Sequence, residues 1–261
     1  MDDLRAAIAA QPLWYHTLDL APGVTTPGWF DVRPVVDRLP WPEVTGKRCL
    51  DIGTYDGFLA FELERRGAAE VVAVDIPGHE DWDWLPRDRA RGPEYLAAVA
   101  GEKGRGFEVA AEALGSSVTR QLVSIYDVSP DAVGMFDVVV CGTLLLHLRD
   151  PFRALEAVAS VCRGQFLSME QIDLDLTIAH PRRPVLGLVS RDGQWLVANA
   201  AAHRAMLHTA GFDLVRSVRP FTIPYGPSHP SGDSGKREYL NRLLLNGPGI
   251  PSVAALTTPH T

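Results

Sequence analysis

The stretch Leu50-Asp51-Ile52-Gly53-Thr54-Tyr55-Asp56-Gly57 decides how the rest of the chain is read. Residues 47–52 predict a short strand with an apolar end. Gly53 and Gly57, four apart, predict a tight turn. Residues 57–66 predict an amphipathic helix closed by Arg65-Arg66-Gly67, where cations and a glycine suit a helix C-terminus. A strand, a glycine turn and a helix in that order bring backbone N–H groups to the carboxyl edge of the strand. Glycine also admits a positive φ and lets a ligand approach the backbone closely.

The alternation continues outward. Residues 71–74 predict a second buried strand, closed by Asp75. Further strands are predicted at 121–125, 136–141, 166–169 and 212–218. Helices are predicted at 106–114, 151–161 (with Pro151 at its start) and 199–210. Largely apolar strands separated by helices indicate a parallel sheet covered on both faces, and such sheets bind ligands at their carboxyl edge. Residues 78–91 read as a polar loop bearing Trp82 and Trp84. Residues 171–197 read as an irregular cap across the top of the sheet. Upstream, 3–10 reads as a short helix. The aromatic-rich stretch 11–42 is expected to pack on the main domain, with a short helix near 31–39, because its large rings would otherwise face water. The proline-rich tail after Pro220 carries no readable element.

Composition narrows the class. The 261 residues suffice for one large α/β domain with additions. With 46% hydrophobic and 22% charged residues, disordered and fibrous classes are excluded. A formal net charge of -7 gives no bulk attraction for phosphate backbones, so nucleic-acid substrates rank well below small molecules. Cys49, Cys141 and Cys162 are odd in number and widely spaced, and read as reduced, buried thiols. The opening Met1-Asp2-Asp3-Leu4-Arg5 lacks the basic region of a secretory signal, and no apolar run reaches membrane-spanning length. A soluble, cytoplasmic protein is expected. No His, Cys, Asp or Glu cluster has metal-ligand spacing, and no metal is expected.

Two classes of nucleotide-like cofactor suit a second strand ending in Asp75, whose carboxylate can accept from both ribose hydroxyls. Nicotinamide enzymes use G-x-G-x-x-G, which seats a pyrophosphate on a helix N-terminus. Here Tyr55 stands at the second glycine and Phe58 at the third, and Asp51 would set a carboxylate against the pyrophosphate. Asp51 suits instead a cofactor with an amino group and a sulfonium. Asp51-Ile52-Gly53 with Gly57, followed by Val71-Val72-Ala73-Val74-Asp75, resembles motifs I and II of the class I S-adenosylmethionine-dependent methyltransferases. Phe136-Asp137-Val138-Val139-Val140-Cys141 resembles their fourth strand. The stretch from Gly142 through His147 to Pro151 is similar to one in the tRNA wobble-uridine carboxymethyltransferases and their methyltransferase-like relatives. Trp14-Tyr15-His16 and Pro27-Gly28-Trp29-Phe30 look like the same relatives.

The resemblance implies a Rossmann-like α/β fold: a mostly parallel seven-stranded sheet with helices on both faces and an N-terminal aromatic-rich extension. Residues 1–45 would form that extension and 46–261 the S-adenosylmethionine-binding domain, with 171–197 as cap or substrate loop. It further implies that Asp51, Gly53, Thr54, Tyr55 and Gly57 hold the methionine end of the cofactor. Asp75 would take the ribose and Ile76 would pack on the adenine. Ser124, Ile125, Tyr126 and Asp127 would border the adenine edge, and Gly142 and Leu145 would lie under the sulfonium.

Methyl transfer asks little beyond in-line placement and exclusion of water, and a base only where the acceptor starts protonated. His147, His16 and Glu170 are the candidates for that base. His147 reads equally well as a structural histidine before Pro151, and Glu170 as a solvated loop carboxylate. Tyr15, Trp29 and Asn199 are candidate substrate contacts, although Tyr15, His16 and Trp29 suit ordinary aromatic packing equally well and Asn199 a helix cap. The expected function is O- or N-methylation of a small molecule, secondary metabolites among the candidates. Alternatives are carboxymethyl transfer to a tRNA wobble uridine, with Arg149 or Arg191 as the required cation, and a non-catalytic cofactor-binding regulator. A nicotinamide oxidoreductase is argued against by the loop.

Overall fold

The computed structural model describes residues 1–100, 103–191, 193–230, 241 and 243–260. Helix α1 (Asp2–Ala10) and strands β1 (Asp19–Ala21) and β2 (Val24–Thr25) precede the main sheet. Then come β3 (Arg48–Ile52), α2 (Phe58–Arg65), β4 (Glu70–Asp75), α3 (Pro86–Arg89), α4 (Pro93–Ala100), α5 (Arg105–Leu114), β5 (Thr119–Leu122), α6 (Pro130–Val133) and β6 (Phe136–Gly142). The chain continues through α7 (Pro151–Val161), β7 (Cys162–Gln171), α8 (Leu174–Ala179), β8 (Leu186–Arg191), β9 (Gln194–Ala198), α9 (Ala200–Thr209), β10 (Phe212–Ser217), β11 (Phe221–Ile223) and β12 (Ile250–Pro259).

The main sheet runs β10-β12-β7-β6-β3-β4-β5, with β11 alongside β12. Strands β3 to β7 pair in parallel. β12 enters antiparallel between β7 and β10. This is the Rossmann-like, mostly parallel sheet expected from the sequence. Its inner strands β4 and β6 are almost wholly apolar because both faces are covered, whereas the edge strands β5 and β10 are more polar and more exposed. Cys49, Val71, Ala73, Val138, Val140 and Leu167 point to a core shared with α2, α5 and the N-terminal aromatics. The intervening Leu50, Ile52, Val72, Val74, Val139 and Cys141 point to a second core under α7 and α9. Trp14, Leu18, Val32 and Val35 belong to the first core, so the N-terminal stretch is built into the domain's packing. All three cysteines are free and buried. Among the described residues no helix is long and apolar enough to cross a membrane.

Several expectations are corrected. Residues 31–39 hold only a 3-10 turn at Val36–Arg38, since Pro34 and Pro40 bracket too short a span for a longer helix. The segment after β4 is not one loop but carries α3 and α4. The third strand sits at Thr119–Leu122, two residues early, and Ile125–Asp127 is a 3-10 turn capped by Ser124. Residues 171–197 are ordered as α8 and the antiparallel pair β8–β9. The tail contributes β12, whose Val253-Ala254-Ala255-Leu256 core run was masked by flanking prolines.

Candidate active site

Strand order reverses between β3 and β6: β4 and β5 lie to one side, β7 to the other. A crevice opens at such a switch point, above the carboxyl ends of the two strands. Here it holds two adjoining cavities of about 540 Å³ and about 870 Å³. Tyr15, His16, Gly53, Gly142 and Thr143 line both. The smaller cavity is walled mainly by Phe30, Val32, Phe58, Leu59, Met169 and Ile223, with Asp51 and Gln171 as polar members. The larger is bordered by Tyr55, Asp75, Ile76, Trp82, Lys103, Ser124, Ile125, Tyr126 and His147.

The turn after β3 is tight. Gly53 has φ +74, and a Cβ there would come within 2.9 Å of Leu144. Tyr55 (φ 51) and Thr143 (φ 54) are the non-glycine residues with left-handed backbone among those described, and both border the cavities. Backbone strain of this kind persists where surrounding structure enforces it. The expectation that the turn presents N–H groups to a ligand is corrected. Gly53 and Thr54 donate theirs to the Val74 carbonyl at 2.9 and 3.2 Å. Tyr55 donates to Asp75 Oδ2 at 3.0 Å. A pyrophosphate would find these three donors already taken, which removes the dinucleotide reading on geometry as well as on sequence.

Asp51 is 2% exposed, and its Oδ2 has no hydrogen-bond partner. Burial pushes its carboxyl up to about 7. A buried carboxyl with one oxygen unpartnered on a cavity wall fits the amino group of S-adenosylmethionine. Asp75 ends β4 at the larger cavity. Its Oδ1 accepts from Ile76 N at 2.8 Å and from Lys103 Nζ at 2.6 Å. The Lys103 ammonium also stands 5.0 Å from the Tyr55 ring and 5.5 Å from the Trp82 ring. Burial pushes its pKa down while Asp75 beside it pushes up. Ile76, Ser124, Ile125 and Tyr126 line the same cavity, as an adenine site would require. Asp127 does not: its side chain is exposed, 4.0 Å from Arg153. Gly57 begins α2 from a left-handed conformation and lines neither cavity. Leu145 is buried, and Leu144 faces the cavity instead.

The three candidate bases separate. His16 sits on the wall common to both cavities, and its Nδ1 contacts Asp56 Oδ1. Asp56 Oδ2 accepts from the backbone N–H of Tyr15 and His16, both at 2.8 Å. Asp56 belongs to the glycine turn, so that turn fixes the N-terminal segment across the crevice. The crossing also needs Gly28, where a Cβ would lie 2.2 Å from the His16 backbone. His147 pairs its Nδ1 with the Gly193 carbonyl at 3.0 Å and faces Trp82. Desolvation lowers its pKa. Glu170 is 3% exposed and lines neither cavity. Its Oε1 accepts from Leu144 and Leu145 N–H at 3.1 and 3.2 Å, holding the loop after β6. Burial pushes it up to about 8.

Of the other candidates, Tyr15 is in both walls. Trp29 is turned toward His229, and Asn199 lies outside both cavities. Asn199 is fully buried, caps α9 through Ala202 N and binds the His180 and Arg183 carbonyls at 2.9 Å. Asp56, Lys103, Phe30 and Phe58 were not singled out from sequence. Asp56 had a signal, its place inside the glycine turn, but its partner His16 is 40 positions away. Lys103 had none.

The sequence matches the family described as "Methyltransferase domain" over residues 31–217. Ribosomal protein L11 methyltransferase of Deinococcus radiodurans is 33% identical over 97 residues, 36% of this chain and 34% of that protein. Ubiquinone biosynthesis O-methyltransferase of Ralstonia nicotianae is 29% identical over 137 residues, 51% of this chain and 47% of that protein. The chain thus spans about a third to a half of the length of the curated relatives it matches. Among solved structures, the N-terminal domain of EvdMO1 with S-adenosylhomocysteine and D-fucose superposes with TM-score 0.54 at 14% identity, covering 99% of this chain and 96% of that one. Burkholderia thailandensis 1,6-didemethyltoxoflavin-N1-methyltransferase, with its substrate and S-adenosylhomocysteine bound, gives TM-score 0.51 at 16% identity, over 88% of this chain and 78% of that one. These two share the fold.

Proposed function

The chain belongs to the methyltransferase domain family, with the fold of its S-adenosylmethionine-dependent members, and on that premise we propose that it methylates a hydroxyl oxygen of a small, largely apolar acceptor of the phenol type. His16 serves as general base and Asp56 as the group that holds it. The carrying observation is the His16–Asp56 pair on the wall that the two cavities share. The name of the Ralstonia relative, an O-methyltransferase, points the same way.

The cofactor, when bound, supplies an electrophilic methyl group on a sulfonium. Asp51 Oδ2 would receive its amino group, and Asp75 its ribose hydroxyls, in competition with Lys103. Ile76 and the Ser124–Tyr126 turn would flank its adenine. The acceptor occupies the apolar cavity. With Nδ1–H donated to Asp56, the neutral His16 ring presents the Nε2 lone pair to the acceptor O–H. His16 Nε2 would take the acceptor's hydroxyl proton as that oxygen replaces the sulfur on the methyl carbon, leaving the neutral thioether, and Asp56 would stabilise the imidazolium so formed. Tyr15, Phe30 and Phe58 keep water from the reacting atoms. In this reading residues 1–45 act as a cap on the cofactor domain 46–261, and 171–197 close the adenosine side.

The test pairs calorimetry of S-adenosylhomocysteine with turnover of a panel of phenols and amines. Cofactor binding with turnover of phenols supports the reading. Binding without turnover of any member favours the non-catalytic regulator. Transfer to amines alone, undiminished in His16→Gln, removes the base.

Carboxymethyl transfer to a tRNA wobble uridine keeps one observation in its favour: Lys103 is a buried cation on the larger cavity's wall. Arg149 lies over Trp195, at 5.9 Å, and the side chain of Arg191 is outside the described residues. Comparing plain and carboxylated cofactor by calorimetry separates the two transfers.

A further inference from the structure

His208, Asp213 and His260 carry no metal-ligand spacing in the sequence, yet the fold gathers them. His208 lies in the last turn of α9, Asp213 is the second residue of β10, and His260 follows β12. One ligand atom from each lies within 4.8 Å of the other two. His260 Nε2 is 3.4 Å from Asp213 Oδ1, and His208 Nδ1 is 3.9 Å from the same oxygen. The two imidazoles meet at 5.1 Å between centroids.

The backbone beneath is fixed independently of these side chains. Gly211, at φ +96, turns the chain from α9 into β10, and its N–H donates to the His208 carbonyl at 3.1 Å. His260 N–H donates to the Gly211 carbonyl at 2.8 Å. Phe212 pairs with Pro259 and Asp213 with Thr258 in the sheet. Three separate elements therefore deliver their ligands to one spot, which lowers the ordering cost of binding an ion.

We propose that His208, Asp213 and His260 form a surface site for a divalent transition metal of the zinc class. Two imidazoles and one carboxylate suit zinc, nickel or cobalt rather than magnesium or calcium, which prefer all-oxygen shells. At a metal–nitrogen length of 2.0–2.1 Å, tetrahedral ligands stand roughly 3.3 Å apart. The carboxylate stands 3.4 and 3.9 Å from the two imidazole nitrogens, near that value, and all three side chains are exposed, so rotation about their own bonds can draw the three atoms, now within 4.8 Å of one another, onto one ion. Water completes the shell.

The site is remote from methyl transfer. β12 runs antiparallel to β7, so its C-terminal end, and the start of β10 paired with it, lie at the edge of the sheet opposite the crevice. An ion there clasps the end of β12, a strand inserted between β7 and β10, to the helix and strand that flank it.

The experiment uses the full chain without a histidine tag, stripped with a chelator. Zinc chloride is titrated by calorimetry, with magnesium chloride in parallel, and thermal unfolding is followed with and without zinc. Expected are one zinc per chain with micromolar affinity, a rise in Tm, and no heat from magnesium. Asp213→Asn and His260→Gln should each lower the affinity at least tenfold while circular dichroism stays unchanged, as exposed positions permit. Cobalt substitution, read by its visible absorption, gives a second readout of imidazole ligation. Absence of stoichiometric zinc binding, or binding that survives in the His208→Gln/His260→Gln double variant, would overturn the proposal.

Discussion

His16→Gln tests the proposed chemistry with the least structural disturbance. Glutamine retains a donor able to reach Asp56 but has no nitrogen that takes up a proton. The backbone N–H groups of residues 15 and 16 still reach Asp56 Oδ2, at 2.8 Å in the unaltered chain, so the N-terminal segment stays in place. A positioned general base contributes roughly 10²- to 10⁴-fold, or about 2.7–5.5 kcal/mol of activation free energy. The loss should fall on kcat, with S-adenosylhomocysteine affinity changed by less than roughly tenfold. Asp56→Asn makes the contrast. It replaces a 1% exposed carboxylate facing three donors, and each donor left unpaired costs about 1–3 kcal/mol. Its turnover should fall together with its Tm. The assay is single-turnover methylation of phenols of graded acidity. An acceptor already ionised needs no base, so the His16→Gln deficit should shrink as acidity rises. A deficit confined to KM, or one independent of acceptor acidity, would show that His16 is a wall of the cavity and nothing more.

Asp51 is held up to about 7 by burial, and only its ionised form attracts the cofactor's amino group. S-adenosylhomocysteine affinity should therefore rise with pH through about 7, and Asp51→Asn should bind more weakly with no such rise, both read by calorimetry. Glu170 is raised from 4.5 to about 8, so its contribution to stability is full below 4.5 and is lost as pH climbs to about 8. The Tm of Glu170→Gln relative to the unaltered chain should accordingly improve across that window, and a flat difference curve argues against a neutral buried carboxyl. Lys103→Met leaves Asp75 buried without its counter-charge, a change that costs about 3–5 kcal/mol when a buried pair is broken. Ribose hydroxyls can then satisfy Asp75, so the ligand-free Tm should drop and the shift on adding S-adenosylhomocysteine should grow. A smaller shift would mean that Lys103 helps to hold the cofactor.

The sheet was legible because its signals are local. Residues 48–52, 71–75 and 136–142 are apolar runs followed at once by the residues that shape the crevice, and strand, turn and carboxylate sit within a few positions of one another. β12 was hidden for the opposite reason. Its apolar run is short and bracketed by prolines and glycines, and it becomes a strand because β7 and β10 pair with it on both sides. The hairpin β8–β9 was read as irregular from Pro181 and Pro184, which end before it begins. Asn199 caps α9, as its place before a helix suggested. Glu170 was harder to read: its residue type suits a site or a solvated loop, but it is buried and committed to the Leu144 and Leu145 N–H groups, which no sequence pattern carries.

The span matched by the family covers every residue lining the larger cavity except Tyr15 and His16, whereas the smaller cavity also draws on residues to either side of that span. In the proposed reading the cofactor side takes Asp51, Gly53, Tyr55, Asp75, Ile76 and residues 124–126 and 142–144, all inside the matched span 31–217. The acceptor side takes Tyr15, His16 and Phe30 from before that span and Ile223 and Ile250 from after it. These five residues meet only because the N-terminal segment and the antiparallel strands β11 and β12 fold over the same edge of the sheet. In the proposed reading, acceptor choice can vary at these five positions while the glycine turn and Asp75 serve the cofactor. Exchanging Phe30 or Ile223 for a smaller apolar residue should shift the size of the phenol accepted and leave S-adenosylhomocysteine affinity within a few-fold of its original value. A change in cofactor affinity with acceptor range unaltered would show that the apolar cavity serves the cofactor.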